Sequence, residues 1–310
     1  MSDSKHLATN TQSAVDTFIG GSQTAGASWQ TWQKPIGKTM AQITCVGQGG
    51  GGGAGVIGAN SVSAGGGGGA GGNLMKLTIP LCFLPDQLYI SCGESASGAG
   101  IASHVSIRPN TTPNFLLCLS NGGTVGGAAS AGTGGIAGAI PSINAIANCC
   151  IAGLGNYIFL AGGAGIAGGA AIAGAALTLP TTGLFTTGGT GGGGLPAAAA
   201  TGTNGGSFTV PAAPSPFPAH LGGVGSATAT IPADEGRSGF NNVLTGLLYH
   251  YGGTGGASTH GTATGGGLVQ ARGGNGGYGC GGGGQGGALT GSSVAVASKG
   301  GAGFVIIVCW

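Results

Sequence analysis

Residues 40–55 read MAQITCVGQGGGGGAG. In the first seven, Met40, Gln42, Thr44 and Val46 alternate with Ala41, Ile43 and Cys45, the period of two that marks a β-strand. The strand runs directly into the glycine run Gly49 to Gly53, and further runs follow at Gly65 to Gly69 and Gly281 to Gly284. Of 310 residues 77 are glycine, yet 41% are apolar and only 5% charged, so this is not the composition of a solvated flexible linker. Ordering glycine costs more backbone entropy than ordering any other residue, so runs of it fold only when something dense offsets that cost. Without side chains, extended glycine segments can approach to backbone distance and hydrogen-bond to several neighbours, as three-residue-per-turn polyproline-II segments do. Collagen is excluded, because the strict Gly-X-Y period is absent and only 13 prolines are present.

Working outward, LMKLTI (74–79), residues 87–92, 104–107 and 115–119 read as strands, with a Pro85-Asp86 turn before the second. The final residues, FVIIVCW (304–310), carry the strongest continuous β signal. A strand this apolar is expected to be covered on both faces and paired with residues 40–46 in one sheet. The fold expected is mainly β, with little helix, a β-rich module from the two chain ends and an extensive irregular, polyglycine-II-like region. The domains expected are an attachment arm at 1–26, with a short helical stretch at 12–19, a β-rich module at 27–125 plus 300–310, and a packed Gly/Ala region at 126–299. Larger side chains interrupt that region at 156–160, 207–220 and 240–251, which read as loops or hydrophobic plugs.

The eight Lys and Arg residues are scattered, so no footprint for nucleic acid follows. Residues 109–233 hold no Asp, Glu, Lys or Arg, which points to Ser, Thr, Asn and bare backbone as the solubilising groups, or to cover by further copies of the chain. Residues 1–15 lack the basic start and apolar core of a secretory signal. Residues 157–179 are uncharged but mostly Gly and Ala, so membrane insertion is not expected. The eight cysteines form no C-x-x-C pair, and Cys45, Cys92, Cys118 and Cys309 sit in apolar runs as reduced core thiols.

No catalytic constellation emerges. Asp234-Glu235 is the only adjacent acidic pair and lies in a PADEGRSG turn, where charge solvates a loop. His6, His104, His220, His250 and His260 have no H-x-x-x-H or H-E partner, so no metal is expected. The GxGxxG matches arise from composition and no GK[ST] follows a run, so no cofactor is expected either.

The order Trp29-x-x-Trp32-x-x-Pro35-x-Gly37, a short strand, five glycines, FLPDQLYISCG and a terminal GGAGFVII strand resembles the glycine-rich structural proteins of tailed bacteriophages, including tail-fibre and appendage components. The resemblance covers about residues 29–126 and 272–310. It implies a non-enzymatic virion protein whose arm docks to other virion proteins. It also implies a surface that binds a host receptor, by analogy with phage adhesins in which loops lie over a sandwich of polyglycine helices. Tyr249, His250, Tyr251 and Phe217 are then the expected contacts, against the alternative that these aromatics plug a core. A homotrimer is expected, since three copies bury Gly/Ala faces around an axis. Other readings are a capsid-decorating scaffold without receptor binding and an ice-binding-like polyproline-II bundle, which a thermal-hysteresis measurement tests.

Overall fold

The computed structural model describes residues 13–21, 24–59, 63–142, 153–178, 186–195, 201–209, 220–228, 231–239, 241–244, 247–260 and 268–310. Its strands are β1 (Ala14–Ile19), β2 (Gln30–Gln33), β3 (Met40–Val46), β4 (Ile57–Gly58), β5 (Leu74–Pro80), β6 (Gln87–Ser91), β7 (Ser103–Ser106) and β8 (Leu116–Ser120). They continue with β9 (Asn156–Leu160), β10 (Leu177–Thr178), β11 (Phe208–Thr209), β12 (Asn241–Leu244), β13 (Leu247–His250), β14 (Ala288–Leu289) and β15 (Phe304–Cys309). The fold is mainly β, and among the described residues the only helical turns are short 3-10 turns such as Leu81–Phe83 and Pro113–Phe115.

Two antiparallel sheets pack face to face, one in the order β1-β15-β3-β5-β9 and the other β2-β6-β7-β8. The alternation read in residues 40–46 decides which side chains meet: Ala41, Ile43 and Cys45 of β3, Met75, Leu77 and Ile79 of β5, and Val305, Ile307 and Cys309 of β15 all point inward. Leu88, Ile90, Val105, Leu117 and Cys118 meet them from the second sheet, and Trp32 closes the core from β2. Each fully buried aliphatic side chain here is worth about 1.5–3 kcal/mol. Cys45, Cys92, Cys118 and Cys309 are buried thiols, small apolar groups in a close-packed interior.

The terminal strand pairs with β3 as expected, Phe304 opposite Val46 and Cys309 opposite Ala41. Two elements of this first sheet differ from expectation. Residues 14–19, expected in an arm with a helical stretch, form β1 on the free edge of β15, where Ala14 and Phe18 pack on the core and the Trp32 indole N–H donates to Asp16 Oδ2 at 2.9 Å. The island at 156–160 is strand β9 on the other edge, with Tyr157 and Phe159 against the core. Unsatisfied strand edges recruit whatever extended, alternating segment the chain offers, near or far in sequence. The sheet therefore draws on all three expected domains.

The glycine-rich remainder is a bundle of extended segments whose hydrogen bonds repeat every three residues. In segment 65–73 the amides of Gly65, Gly68 and Gly71 donate to Gly169, Ile166 and Gly163, and those of Gly66, Gly69 and Gly72 to Gln285, Gly282 and Gly279. Those of Gly67, Ala70 and Asn73 donate to Gly127, Thr124 and Asn121. Its carbonyls accept from three more segments, through Gly47, Gly50 and Gly53, Gly135 and Gly138, and Gly189 and Gly192. Six segments thus surround one, as three residues per turn allows. Net backbone bonds of about 1 kcal/mol each only match the ordering cost per residue, so the dispersion of backbones packed at contact must supply the surplus.

Tracing these bonds arranges the bundle in four layers. The first holds segments 133–140, 161–170 and 172–176; the second 121–129, 65–73, 186–195 and 202–207. The third holds 98–101, 47–54, 281–288, 251–259 and 220–226, and the fourth 93–96, 293–303, 268–277 and 233–239. The long glycine runs fall in the buried segments 47–54, 65–73, 186–195 and 281–288, because a position facing a neighbouring backbone on every side has no room for a side chain. Glu94, Asp234, Glu235, Arg237, Arg272 and Lys299 all belong to the fourth layer, and the described residues of the other three carry no formal charge.

Candidate functional site

One end of the bundle abuts the sandwich, since β3 leads into segment 47–54 and segment 65–73 returns into β5. At this junction β12 and β13 pair antiparallel, with Asn242 opposite Tyr249. Strand β13 feeds directly into segment 251–259, and three of the residues expected to contact a receptor lie at or beside that joint.

Tyr251 opens a segment that is enclosed on all sides, so its ring is driven between segments rather than into solvent and is only 3% exposed. It packs on Phe208, ring centroids 6.2 Å apart, and beside His220 at 6.5 Å. His250 is 4% exposed, with its ring edge-on to Phe304 at 5.3 Å and to Tyr278 at 6.1 Å. Burial pushes its imidazole down to about 4, so it is neutral at pH 7. The expectation that His250 and Tyr251 present their rings to a receptor is therefore corrected: both rings are interior and join bundle to sheet. Tyr249 stands in β13, and Phe217 lies outside the described residues.

Beside this cluster a groove of about 310 Å³ runs between the outer face of the first sheet and the bundle. Val15, Thr17 and Ile19 of β1 and Phe304 and Ile306 of β15 form one wall, and His250 and Tyr278 the other. Its lining offers almost no hydrogen-bonding surface, so it suits an apolar group. Sequence reading missed it because β1 was not recognised as a strand. The alternation of Val15, Thr17 and Ile19 was the available signal.

A wider cleft of about 770 Å³ opens at the opposite end of the sandwich, between residues 34–40 and 80–86. Met40, Pro80 and Leu81 line it, and Ile36, Phe83 and Trp310 stand exposed at or near its rim. Lys34 Nζ donates to the Leu84 carbonyl at 2.9 Å and pairs with Asp86 at 2.8 Å. With Asp86 almost fully exposed, that pair fixes the turn more than it stabilises the fold.

No reaction chemistry is assembled at either place. Among the described residues no three His, Cys, Asp or Glu side chains converge as metal ligands. Glu235 pairs with Arg272 at 3.4 Å on the surface of the fourth layer. Burial pushes the Cys92 and Cys280 thiols up to about 12, far from a reactive thiolate. Among the described residues no helix is long and apolar enough to cross a membrane. Compared with family models and with curated proteins, the chain matches none.

Proposed function

We propose that this chain is a non-enzymatic structural protein of a tailed-bacteriophage virion, a fibre or appendage component carried outside the particle. The observation that carries the reading is the sidedness of a rigid, charge-poor bundle: glycine fills its interior, side chains ring its surface, and its charges are confined to one layer. Such a body resists deformation and proteolysis through close-packed backbone rather than through a large aliphatic core. The β-sandwich supplies a conventional hydrophobic anchor at one end, and the sequence order through Trp29, Trp32, the glycine runs and the terminal strand supports the phage resemblance. Host-surface binding belongs to the same proposal, but His250 and Tyr251 are not its contacts.

Immunogold electron microscopy, with antibody raised to the purified chain, tests the reading on phage particles from a culture carrying the gene. Gold at the tail or its appendages is the expected result, gold over the head supports the capsid-decorating alternative, and unlabelled particles overturn the virion assignment. Purified protein added at saturation should block adsorption if the chain binds the host, and undiminished adsorption removes receptor binding.

A further inference from the structure

The outer end of the sandwich, away from the bundle, gathers side chains of a different kind. Strand β3 begins there, β5 and β15 end there, and the turn from β7 to β8 crosses it, so residues 34–39, 81–86, 107–115 and 310 share one pole. Ile36 is fully exposed at this pole, Phe83 50% and Trp310 45%. The Trp310 carbonyl accepts from the Thr39 and Met40 amides at 2.9 and 3.1 Å, which holds it against the first of these loops. Gly37 turns at φ +79° with nothing within 4 Å of where its Cβ would stand, so the loop carries Ile36 outward as a knob.

The same loops hold three basic side chains, Lys34, Lys38 and Arg108, against the single acid Asp86. Lys34 pairs with Asp86 at 2.8 Å, and the exposed Arg108 lies 5.2 Å from the centroid of the Phe115 ring. That excess equals the formal charge of the whole chain, +2, so the charges elsewhere cancel. The turns at the other pole of the molecule, residues 55–59, 129–133, 226–228 and 289–293, hold only Gly, Ala, Ser, Thr, Val, Ile and Leu.

We propose that the outer end of the sandwich is a peripheral membrane contact, with Ile36, Phe83 and Trp310 entering the interfacial layer of a bilayer whose anionic headgroups attract the surplus basic charge. Three physical points select a lipid surface. Positive charge concentrated at one pole complements an anionic leaflet, each basic side chain near it adding about fivefold to binding. Exposed apolar and basic side chains stand on the same loops, the pairing that interfacial contact uses, and tryptophan favours the headgroup level. Fluid acyl chains conform to a projecting side chain such as Ile36, whereas a folded partner must present a pocket shaped to it. Contact of this kind needs no spanning segment. This pole then supplies a contact for the host-surface reading, on which its biological role rests. Vesicle binding by the purified chain and gold labelling of particles are independent results, so either can fail alone.

Cosedimentation of the purified full chain with vesicles decides it, comparing phosphatidylcholine alone with an equimolar mixture of phosphatidylcholine and phosphatidylglycerol. Two surplus charges should make binding to the mixed vesicles more than about tenfold tighter, with the difference shrinking as salt is raised. Ile36→Asp should weaken that binding by about tenfold or more, and Phe83→Ser should weaken it in the same direction. Val296→Glu, on a side chain 73% exposed in the fourth layer of the bundle, should leave it unmoved. Ile36 packs on nothing, so an unchanged circular dichroism spectrum is expected, and Phe83→Ser serves under the same criteria if the spectrum changes. Absence of binding, equal binding to both vesicles, indifference to Ile36→Asp, or an equal loss with Val296→Glu overturns the proposal. Retention on immobilised polyglutamate without vesicle binding also overturns it, in favour of an acidic protein partner.

Discussion

The amide of Gly53 donates to the carbonyl of Gly67 at 2.7 Å, tying the glycine run that leaves β3 to the run that returns into β5. Both residues face a third backbone on their remaining side. A methyl group on Gly53 would overlap the Gly127 carbonyl, and one on Gly67 the Ile136 carbonyl. Neither backbone can yield without breaking its own ladder of bonds.

Gly67→Ala is therefore expected to destabilise the protein by about 3 kcal/mol or more, beyond the usual range for overpacking, because the obstacle is main chain rather than a mobile side chain. Gly98→Ala, where a Cβ meets nothing within 4 Å, should change stability by no more than about 0.5 kcal/mol. Chemical denaturation of the two variants checks the contrast, and equal losses would show that the array tolerates side chains.

Acid should weaken the fold through two buried imidazoles. Burial pushes both His104 and His250 down to about 4 from an ordinary value of 6.5. Between those values the unfolded chain binds protons that the folded one does not, so stability is full above pH 6.5 and falls as pH drops toward 4. The loss is on the order of 2–3 kcal/mol per imidazole. Melting temperatures across this range should fall less steeply for His104→Gln than for the native chain, and an unchanged slope refutes the assignment.

Thiol reactivity should divide sharply. Cys82 is exposed, whereas Cys45, Cys92, Cys118, Cys280 and Cys309 are buried. Burial, and then the nearby Asp16 carboxylate, pushes Cys309 up to about 11, while Lys38 opposes them more weakly. Peptide mapping after brief alkylation of native protein should find Cys82 modified and these five intact. Early modification of Cys280 would contradict the closed packing of segment 281–288.

Strand β1 should matter for stability out of proportion to its length. Its removal uncovers the edge of β15 and the Trp32 indole that donates to Asp16. Asp16→Ala should cost about 1–2 kcal/mol for a partly exposed bond to a charged acceptor and shift the tryptophan fluorescence. Deleting residues 1–19 should in addition promote aggregation through the bared edge, measurable by light scattering.

Much of the sandwich was legible beforehand because its signals are local. Residues 40–46, 74–79 and 304–309 alternate or run apolar over strand lengths, and each became a strand within a residue of its expected limits. Strands β1 and β9 were not legible, since alternation over five or six residues amid polar or Gly/Ala text is weak until a free sheet edge selects it. The burial of His250 and Tyr251 escaped the sequence for a related reason. An aromatic cluster beside a glycine run reads equally as loop or plug, and Tyr251 became a plug because segment 251–259 is enclosed by others distant in sequence.

By itself the sequence determined that glycine here is packed rather than flexible, that the two chain ends share a sheet, and that a long middle stretch carries no charge. Each follows from composition or from a pattern shorter than a dozen residues. Only the tertiary structure decided which runs lie inside and that the charges of the bundle share one layer. Those are properties of hydrogen bonds between residues as far apart as Gly49 and Gly301, and a period of three in a chain one-quarter glycine leaves their pairing unwritten.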